Sequence, residues 1–191
     1  MTSERFGVNR KIMKYKNITI SGGVAVGKNT LQENLKSYLK PLGFKFTSGG
    51  QLLRDFSREY VQPLASLAPD EFHHKLDDRT KKLLEEGKYV IEAWLAGFMA
   101  RERADTLRIL LICSSDAVRV DRVVNRDKVT IEKAKAYIKD REETNFREWK
   151  RIYGDHDFFD PKYYHLVIDT YSKGQQETVD IVLQQIGYKK S

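Results

Sequence analysis

The chain of 191 residues carries 34 lysines and arginines against 27 acidic residues, which gives a net charge of +7 at pH 7. Its 40% hydrophobic and 32% charged residues are typical of a water-soluble globular protein with an ample core, and no apolar stretch approaches the length of a membrane span. There is no sign of a secretory signal and the single cysteine, Cys113, cannot form an internal disulfide, so we expect a buried thiol and a reducing, cytoplasmic location.

Residues 1–16 form a basic N-terminal arm that carries +4 of the net charge. Such an arm can contact nucleic acid, although a solvated tail ahead of the first strand is the simpler interpretation, and we do not expect a nucleic-acid partner. Residues 17–191 are predicted to form one domain. The sequence does not indicate an oligomeric state.

The first predicted strand, residues 18–20, leads into a glycine-rich turn and then into a helix that begins near Lys28. Gly22, Gly27 and Lys28 stand at the spacing G-x-x-x-x-G-K-[ST] of a phosphate-binding loop, with Asn29 in the place of the hydroxyl residue. In such a loop the backbone N–H groups and the helix N-terminus face phosphate oxygens, and the lysine reaches the β and γ phosphates. The predicted contacts are Gly22, Gly23, Val24, Ala25, Val26, Gly27, Lys28, Asn29 and Thr30. The alternative is a glycine-rich turn without a ligand.

Strand-like and helix-like segments alternate along the rest of the chain. Further strands are predicted at 44–47, 89–92, 107–113 and 164–169. Helices are predicted at 27–39, 51–60, 71–86, 116–127, 131–153 and 175–186, with Asp70 and Thr130 as N-caps and Gly87 as a C-terminal stop. The helix at 131–153 has sparse apolar positions among many charges, which predicts a poor core helix and a suitable mobile flap.

This alternation predicts an α/β fold, a parallel five-stranded sheet with helices on both faces. Ligands bind such sheets outside the carboxyl ends of the strands. The first three strands are followed by the glycine loop, by Ser48-Gly49-Gly50 and by Glu92-Ala93. We therefore expect these three loops to open on one crevice.

Several arginines are suitably placed to serve a phosphoryl-transfer site in that crevice. Arg54 stands one helical turn after Gly50, where it can hold a second phosphate, and the charged region 119–151 contributes six more. They are Arg119, Arg122, Arg126, Arg141, Arg147 and Arg151. The alternative is a solvated helix whose arginines form ion pairs with Glu142, Glu143 and Glu148.

In order and spacing, these motifs resemble the archaeal cytidylate kinases, a branch of the nucleoside monophosphate kinases. The resemblance covers roughly residues 17–187 and rests on nine stretches. They are 18–22 with Gly27-Lys28, 48–50, Leu53-Arg54, Leu76-Asp77 with Arg79, Glu92 with 95–97, Arg122 with Arg126-Asp127, Arg141-Glu142, 152–154 and 164–170.

The resemblance implies a three-layer P-loop kinase fold with an acceptor-binding segment at about 48–86 and a lid at about 119–155. It implies that ATP with Mg²⁺ donates its γ-phosphoryl to CMP or dCMP. The implied catalytic residues are Lys28, Arg126, Arg141 and Arg147, with Arg122 at the donor and Asn29 at the metal. The implied acceptor contacts are Ser48, Gly49, Arg54, Asp77, Arg79, Glu92 and Trp94. Glu92 either orients magnesium waters or has a structural role.

The sequence departs from the family pattern mainly on the acceptor side. Trp94 stands where the family has an arginine that helps to hold the acceptor phosphate, and Asp78 and Thr80 replace Arg and Gln near the base. Asn29 replaces the hydroxyl ligand of Mg²⁺, although an amide oxygen is an acceptable one and Thr30 is adjacent. We expect Trp94 to pack under the lid rather than to stack on a base.

Three hypotheses follow. The first is an ATP-dependent cytidylate kinase. The second keeps the enzyme class but changes the small acceptor, because of Trp94, Asp78 and Thr80. The third is a non-catalytic nucleotide-binding module whose basic arm touches nucleic acid.

Overall fold

The structure, a computed structural model, describes residues 13–60 and 70–188. Its five strands are β1 (Asn17–Ser21), β2 (Lys45–Ser48), β3 (Tyr89–Glu92), β4 (Thr106–Ile112) and β5 (Leu166–Asp169). Its α-helices are α1 (Lys28–Leu39), α2 (Gly49–Tyr60), α3 (Asp70–Glu86), α4 (Ala96–Met99), α5 (Asp116–Asp127), α6 (Ile131–Tyr153) and α7 (Gln175–Gln185). Short 3₁₀ turns occupy Lys40–Leu42 and Pro161–Tyr163.

All strand pairs in the sheet are parallel, in the order β2-β3-β1-β4-β5. Ile20 lies opposite Glu92 of β3 on one side and Ile109 of β4 on the other. Ser48 at the end of β2 is likewise opposite Glu92. The carboxyl ends of β1, β2 and β3 therefore lie side by side, where parallel sheets bind their ligands.

Helices cover both faces of the sheet, which confirms the predicted fold class. On one face, Leu35 of α1 and Val182 of α7 pack against Ile18, all with no exposed surface. On the other face, Leu84 of α3 packs with Ile91 and with Ala96 of α4. Burial of this apolar surface is the main stabilising contribution to the fold.

Helix α4 is absent from the predicted elements. It has only four residues, which is too short to show a helical period in the sequence. Its Gly97 lies against β1, because its N–H donates to Ser21 Oγ (2.7 Å) and a Cβ there would overlap the ring of Tyr164. The predicted fifth strand begins two residues too early, since Tyr164 turns inward and donates from its hydroxyl to Phe158 O.

The described end of the basic arm, residues 13–16, is only partly solvated. Tyr15 is buried beside the core, and the N–H of Lys14 donates to Ile186 O after α7. The side chains of Lys14 and Lys16 are exposed, and the rest of the arm lies outside the described residues. Cys113 is buried, as predicted. Among the described helices, none is both long and apolar enough to cross a bilayer.

Helix α6 has only two buried residues among its 23, which agrees with its prediction as a poor core helix, but it still contributes to two apolar clusters. Near its start, Ala134 and Ile138 are buried against α5. Near its end, Trp149 and Tyr153 pack edge-on around the fully buried Phe158. The other aromatic members of this second cluster come from before α6 (Trp94 and Phe98) and from after it (Phe158 onward), so the helical period of α6 alone does not reveal it.

Candidate active site

The glycine-rich loop joins β1 to α1 in a tight turn. Gly22 adopts φ +140°, and a Cβ there would overlap the Leu111 carbonyl, so the close approach of the two backbones requires glycine. Gly27 adopts φ +93° immediately before α1. Ala25 also has a positive φ, +58°, which costs about 1 kcal/mol in an L-residue. The turn leaves the N-terminus of α1 open to the crevice, as a phosphate site requires.

Lys28 is a buried cation with three kinds of partner. Its Nζ donates to Gly23 O (2.7 Å), lies 3.6 Å from Glu92 Oε1 and sits 5.3 Å from the ring centroid of Trp94. Burial lowers the pKa of Lys28 and raises the pKa of Glu92, while their mutual attraction opposes both shifts. The pair is thus a compact charged centre at the end of β3, shielded by an indole.

A cavity of about 620 Å³ opens in front of the loop, and we call it the donor cavity. It gathers most of the predicted donor and catalytic residues. Those that line it are Val24, Ala25, Val26, Gly27, Lys28, Asn29, Thr30, Arg122, Arg126 and Arg141, together with Glu92 and Trp94. Gly22 and Gly23 lie deeper in the loop and shape its backbone.

Arg122 ties α5 to the loop. Its guanidinium donates to Ala25 O (3.0 Å) and to both the hydroxyl and the carbonyl of Thr170 (3.0 Å each). Thr170 follows β5 and donates from Oγ1 to Val26 O (3.0 Å). Arg126 lies nearer the surface, paired with Asp127 at 2.7 Å. Thr170 was noted only as part of a family stretch, because its approach to the loop depends on the sheet order.

A second cavity of about 290 Å³, the acceptor cavity, lies between α2, α3 and α6. It shares Glu92, Trp94 and Arg141 with the donor cavity, so the two meet at the end of β3. Its other walls include Gly49, Gly50 and Asp77 from the acceptor segment. Met99, Trp149 and Tyr153 also line it, and of these three only Tyr153 belongs to a stretch of the family resemblance.

Trp94 packs against α6, as expected. Its ring lies 5.4 Å from that of Trp149, at 64°. Trp94 therefore lies between the Lys28 ammonium on one side and Trp149 of α6 on the other.

Besides Gly22 and Gly23, four of the predicted residues lie outside both cavities. Ser48 Oγ accepts from Gln51 N (3.0 Å) in the first turn of α2, and Arg54 donates to Gln51 Oε1 (2.9 Å). Arg79 on α3 and Arg147 on α6 are exposed. The structure therefore does not bring Arg54, Arg79 or Arg147 next to Lys28.

Asp77 and Tyr153 join α3 to α6 at the wall of the acceptor cavity. The Tyr153 hydroxyl donates to Asp77 Oδ2 (2.8 Å), and the ring of His74 lies 6.4 Å from that of Tyr153. A second link joins the same helices, because Arg151 pairs with Asp70 at 2.7 Å. Burial raises the pKa of Asp77 to about 6, despite the hydrogen bond from Tyr153.

We expect Asp77→Asn to stabilise the protein at pH 8 by about 2 kcal/mol and to have little effect on stability at pH 4. The raised pKa, about 6 against an ordinary 3.8, means that the folded state binds a proton that the unfolded state has released between these values. The contribution of Asp77 to stability is therefore present below pH 4 and lost as the pH rises through 6. Asparagine removes the buried charge and still accepts from Tyr153.

Urea denaturation of wild type and Asp77→Asn at pH 4, 6 and 8 measures this difference. The exposed Asp78→Asn on the same helix is the control and should change stability at pH 8 by less than about 0.5 kcal/mol, as is usual for a surface substitution. An equal effect of Asp77→Asn at pH 4 and pH 8 would contradict a raised pKa at Asp77.

A family model described as the cytidylate kinase-like family matches residues 42–172, more than half of the chain. The chain belongs to this family. The similar curated relatives are also cytidylate kinases. That of Thermococcus sibiricus is 34% identical over 177 residues, covering 90% of this chain and 88% of its own length. That of Pyrococcus abyssi is 35% identical over 176 residues, covering 87% and 91%. The predicted resemblance is thereby confirmed.

Solved structures share the fold at low sequence identity. An uncharacterized protein from Eubacterium ventriosum superposes with a TM-score of 0.70 at 14% identity, covering 91% of this chain and 99% of its own. A gluconokinase from Sinorhizobium meliloti gives 0.57 at 15% identity, covering 91% and 93%. These neighbours support the kinase fold of the cytidylate kinase-like family. The family model and the curated relatives confirm the prediction of an enzyme of the nucleoside monophosphate kinase class.

Proposed function

We propose that the protein transfers the γ-phosphoryl group of ATP to the phosphate of CMP or dCMP, giving the nucleoside diphosphate and ADP. The observation that carries this proposal is the meeting of the two cavities at Glu92, Trp94 and Arg141. A nucleotide in each cavity would place its phosphates at that junction, beside the ammonium of Lys28. Phosphoryl transfer depends chiefly on such positioning and on charge stabilisation.

On the donor side, the loop backbone and Lys28 bind the phosphates of ATP. Lys28 supplies a localised positive charge that is buried beside Trp94, so its interaction with the developing charge is stronger than in bulk solvent. Arg141 reaches the same junction from α6. Arg122 holds the loop to Thr170 and so supports the donor site from the side of β5.

Mg²⁺ fits the oxygen donors that this site presents. Asn29, Thr30 and Glu92 line the donor cavity with an amide oxygen, a hydroxyl and a carboxylate, which are hard ligands of the kind that Mg²⁺ prefers. In the described part of the chain, no group of three acidic, histidine or cysteine side chains is placed to hold a metal. We therefore expect these three residues to hold the ion together with the phosphates. When bound, Mg²⁺ neutralises phosphate charge.

On the acceptor side, the choice of a cytosine nucleotide is supported by the curated relatives and by Asp77. The two relatives named above are cytidylate kinases. Asp77 places a carboxylate on the wall of the acceptor cavity, where it can accept a hydrogen bond from an exocyclic amine such as that of cytosine. Uracil offers a carbonyl at that position, which a carboxylate does not bind.

A second candidate is the same reaction with another small acceptor. It is favoured by the charge of the acceptor cavity, whose lining includes three carboxylates, Asp77, Glu92 and Glu148, against Arg141 and His73. Trp94, which stands at the arginine position of the family pattern, adds no charge to hold an acceptor phosphate. A less anionic acceptor would suit this lining.

A panel of acceptors tests both candidates. Release of ADP from ATP is measured with CMP, dCMP, UMP and AMP, and then with small hydroxyl-bearing acceptors. Turnover with CMP or dCMP at least tenfold above the others supports the proposal. Turnover only with another acceptor favours the second candidate, and tight ATP binding without acceptor-dependent ADP would favour a non-catalytic module.

A pair of substitutions tests whether Trp94 packs or recognises a base. We expect Trp94→Phe to retain kcat and the acceptor KM within about threefold, because a phenyl ring still contacts Trp149. Trp94→Ala should lower the free energy of unfolding by about 2–3 kcal/mol, since it opens a void at the junction of two apolar clusters. Urea unfolding and acceptor titrations measure the two effects. A large rise in acceptor KM for Trp94→Phe with unchanged stability would mean that the indole stacks on the substrate.

A further inference from the structure

The peptide unit between Gly23 and Val24 is held at both of its ends. Its carbonyl oxygen, Gly23 O, accepts from Lys28 Nζ at 2.7 Å, and its N–H, on Val24, donates to Glu142 Oε1 at 3.1 Å. The two groups belong to one planar unit, so fixing the N–H fixes the direction of the carbonyl. A carboxylate on α6 is therefore connected to the ammonium of Lys28 through a single peptide plane.

Glu142 is itself held firmly. Its Oε1 is paired with the guanidinium of Arg119 on α5, and the two side chains are 25% and 14% exposed. Arg119 Nε also donates to Val24 O at 3.1 Å, so the two residues bind the backbone of Val24 from both sides. Charge-assisted bonds in such a half-buried setting are stronger than those on the surface.

The close approach of Glu142 depends on the glycine at residue 23. A Cβ on Gly23 would lie 2.5 Å from Glu142 Oε1, so the carboxylate would have to move away from its present place. Glycine at residue 23 thus allows Glu142 of α6 to reach the Val24 N–H. This is a separate role from the backbone freedom that glycine gives to a phosphate-binding loop.

Glu142 lies on the groove between α5 and α6, behind the loop, and is not among the described residues that line the donor and acceptor cavities. It therefore has no direct route to a nucleotide in either cavity. Apart from a through-space attraction between its charge and the Lys28 ammonium, any influence on the reaction must pass through the loop.

We propose that Glu142 is a positioning residue, which sets the place of the Lys28 ammonium through the Gly23–Val24 peptide. This role goes beyond the proposed function. Only the measurement of kcat depends on the proposed function, because the measurements of ATP affinity need no acceptor. When α6 is in place, the peptide is oriented and Lys28 is anchored at the mouth of the loop. When α6 moves away, the Val24 N–H loses its acceptor and the anchor of Lys28 loosens. The phosphate loop is thus complete only with α6 packed against it.

A double-mutant cycle in ATP affinity tests this connection. The variants are Glu142→Ala, Lys28→Met and their combination, measured by calorimetry without an acceptor. We expect Glu142→Ala to weaken ATP binding about tenfold in the wild-type background and less than twofold in the Lys28→Met background. Glu142→Gln, whose amide oxygen can still accept from Val24, should recover affinity to within about threefold of wild type.

Amide exchange and a control variant test whether the effect of Glu142 is confined to the Gly23–Val24 peptide. Amide exchange at Val24, followed by NMR, should be at least tenfold faster in Glu142→Ala than in wild type, while amides of β1 and β4 keep their protection. Glu143→Ala, at the next position on α6 and exposed, should change neither the affinity nor the exchange. Once an acceptor that gives ADP release has been found, kcat of Glu142→Ala in that assay should be about tenfold lower than that of wild type.

Equal losses of affinity in both backgrounds would overturn the proposal, because Glu142 would then act independently of Lys28. Unchanged exchange at Val24 in Glu142→Ala would also overturn it. Failure of the proposed function has a different signature. Wild type would then bind ATP without transferring phosphate to any acceptor, and the cycle in ATP affinity would still decide the role of Glu142.

Discussion

Lys28→Met should lower kcat for phosphoryl transfer by about a thousandfold or more while leaving the protein folded. The ammonium is the buried cation of the donor cavity, and a transition state that gains charge on the transferred phosphoryl depends on it. Methionine keeps a stem of similar length beneath Trp94 but carries no charge. The measurement is ADP release at saturating ATP and acceptor, with circular dichroism to verify folding.

Loss of the Lys28 charge also leaves Glu92 buried without its cation, so a loss of stability could be mistaken for a loss of chemistry. The double variant Lys28→Met/Glu92→Gln removes both charges and should restore much of the stability without restoring turnover. Lys36→Ala, on the outer side of α1 and paired with Glu33, should retain wild-type rates. Near-wild-type turnover in Lys28→Met would mean that the loop does not bind the transferred phosphate.

Arg141→Ala should reduce kcat about a hundredfold, the second-largest effect that we expect. Arg141 lines both cavities, and its charge is close enough to Lys28 to lower the pKa of that residue. It is thus placed to stabilise charge where donor and acceptor meet, and removal of one such contact typically costs 10²–10³ in kcat. Steady-state rates with both substrates saturating measure the effect.

Arg147→Ala is the matched control for Arg141→Ala. The two arginines lie on the same helix, six residues apart, and both are exposed, but Arg147 is not among the described residues that line either cavity. We expect its removal to change kcat by less than threefold. Equal losses in the two variants would contradict the assignment of Arg141 to the junction, and would mean that α6 adopts another position during turnover.

The sheet and the donor side of the site could be predicted because their determinants are local. The glycine spacing from Gly22 to Lys28 specifies the loop by itself, and alternating segments predict a parallel sheet with its loops on one edge. The position of Glu92 could be predicted because this residue ends a short apolar strand. Each of these features can be identified within a window of ten residues.

The contacts that complete the site are long-range, and for this reason the sequence does not reveal them. Glu142 lies 118 residues from Val24, and Thr170 lies 144 residues from Val26. Glu142 directly follows Arg141 in a family motif, which was the available signal, yet in isolation it is indistinguishable from the acidic partners of a solvated helix. Tyr153 was likewise noted in a motif, but its partner Asp77 comes from a helix 76 residues earlier.

The contacts of the arginines are another feature that the sequence does not predict. Sequence spacing treats Arg119, Arg122 and Arg141 as one set, but the structure separates them by what they touch. Arg119 binds Glu142, Arg122 binds the loop carbonyl of Ala25, and Arg141 lines the junction. A three-residue spacing places side chains on one face of a helix but does not say what that face meets.

The two links between α3 and α6, Tyr153 with Asp77 and Arg151 with Asp70, have a thermodynamic consequence. Since α3 lines the acceptor cavity and α6 contributes to both, a ligand that shifts either helix shifts the other. ATP and the acceptor should then change each other's dissociation constant by the same factor, as linkage requires. Tyr153→Phe removes one of the two links and should bring that factor closer to one, so that the two substrates bind more nearly independently.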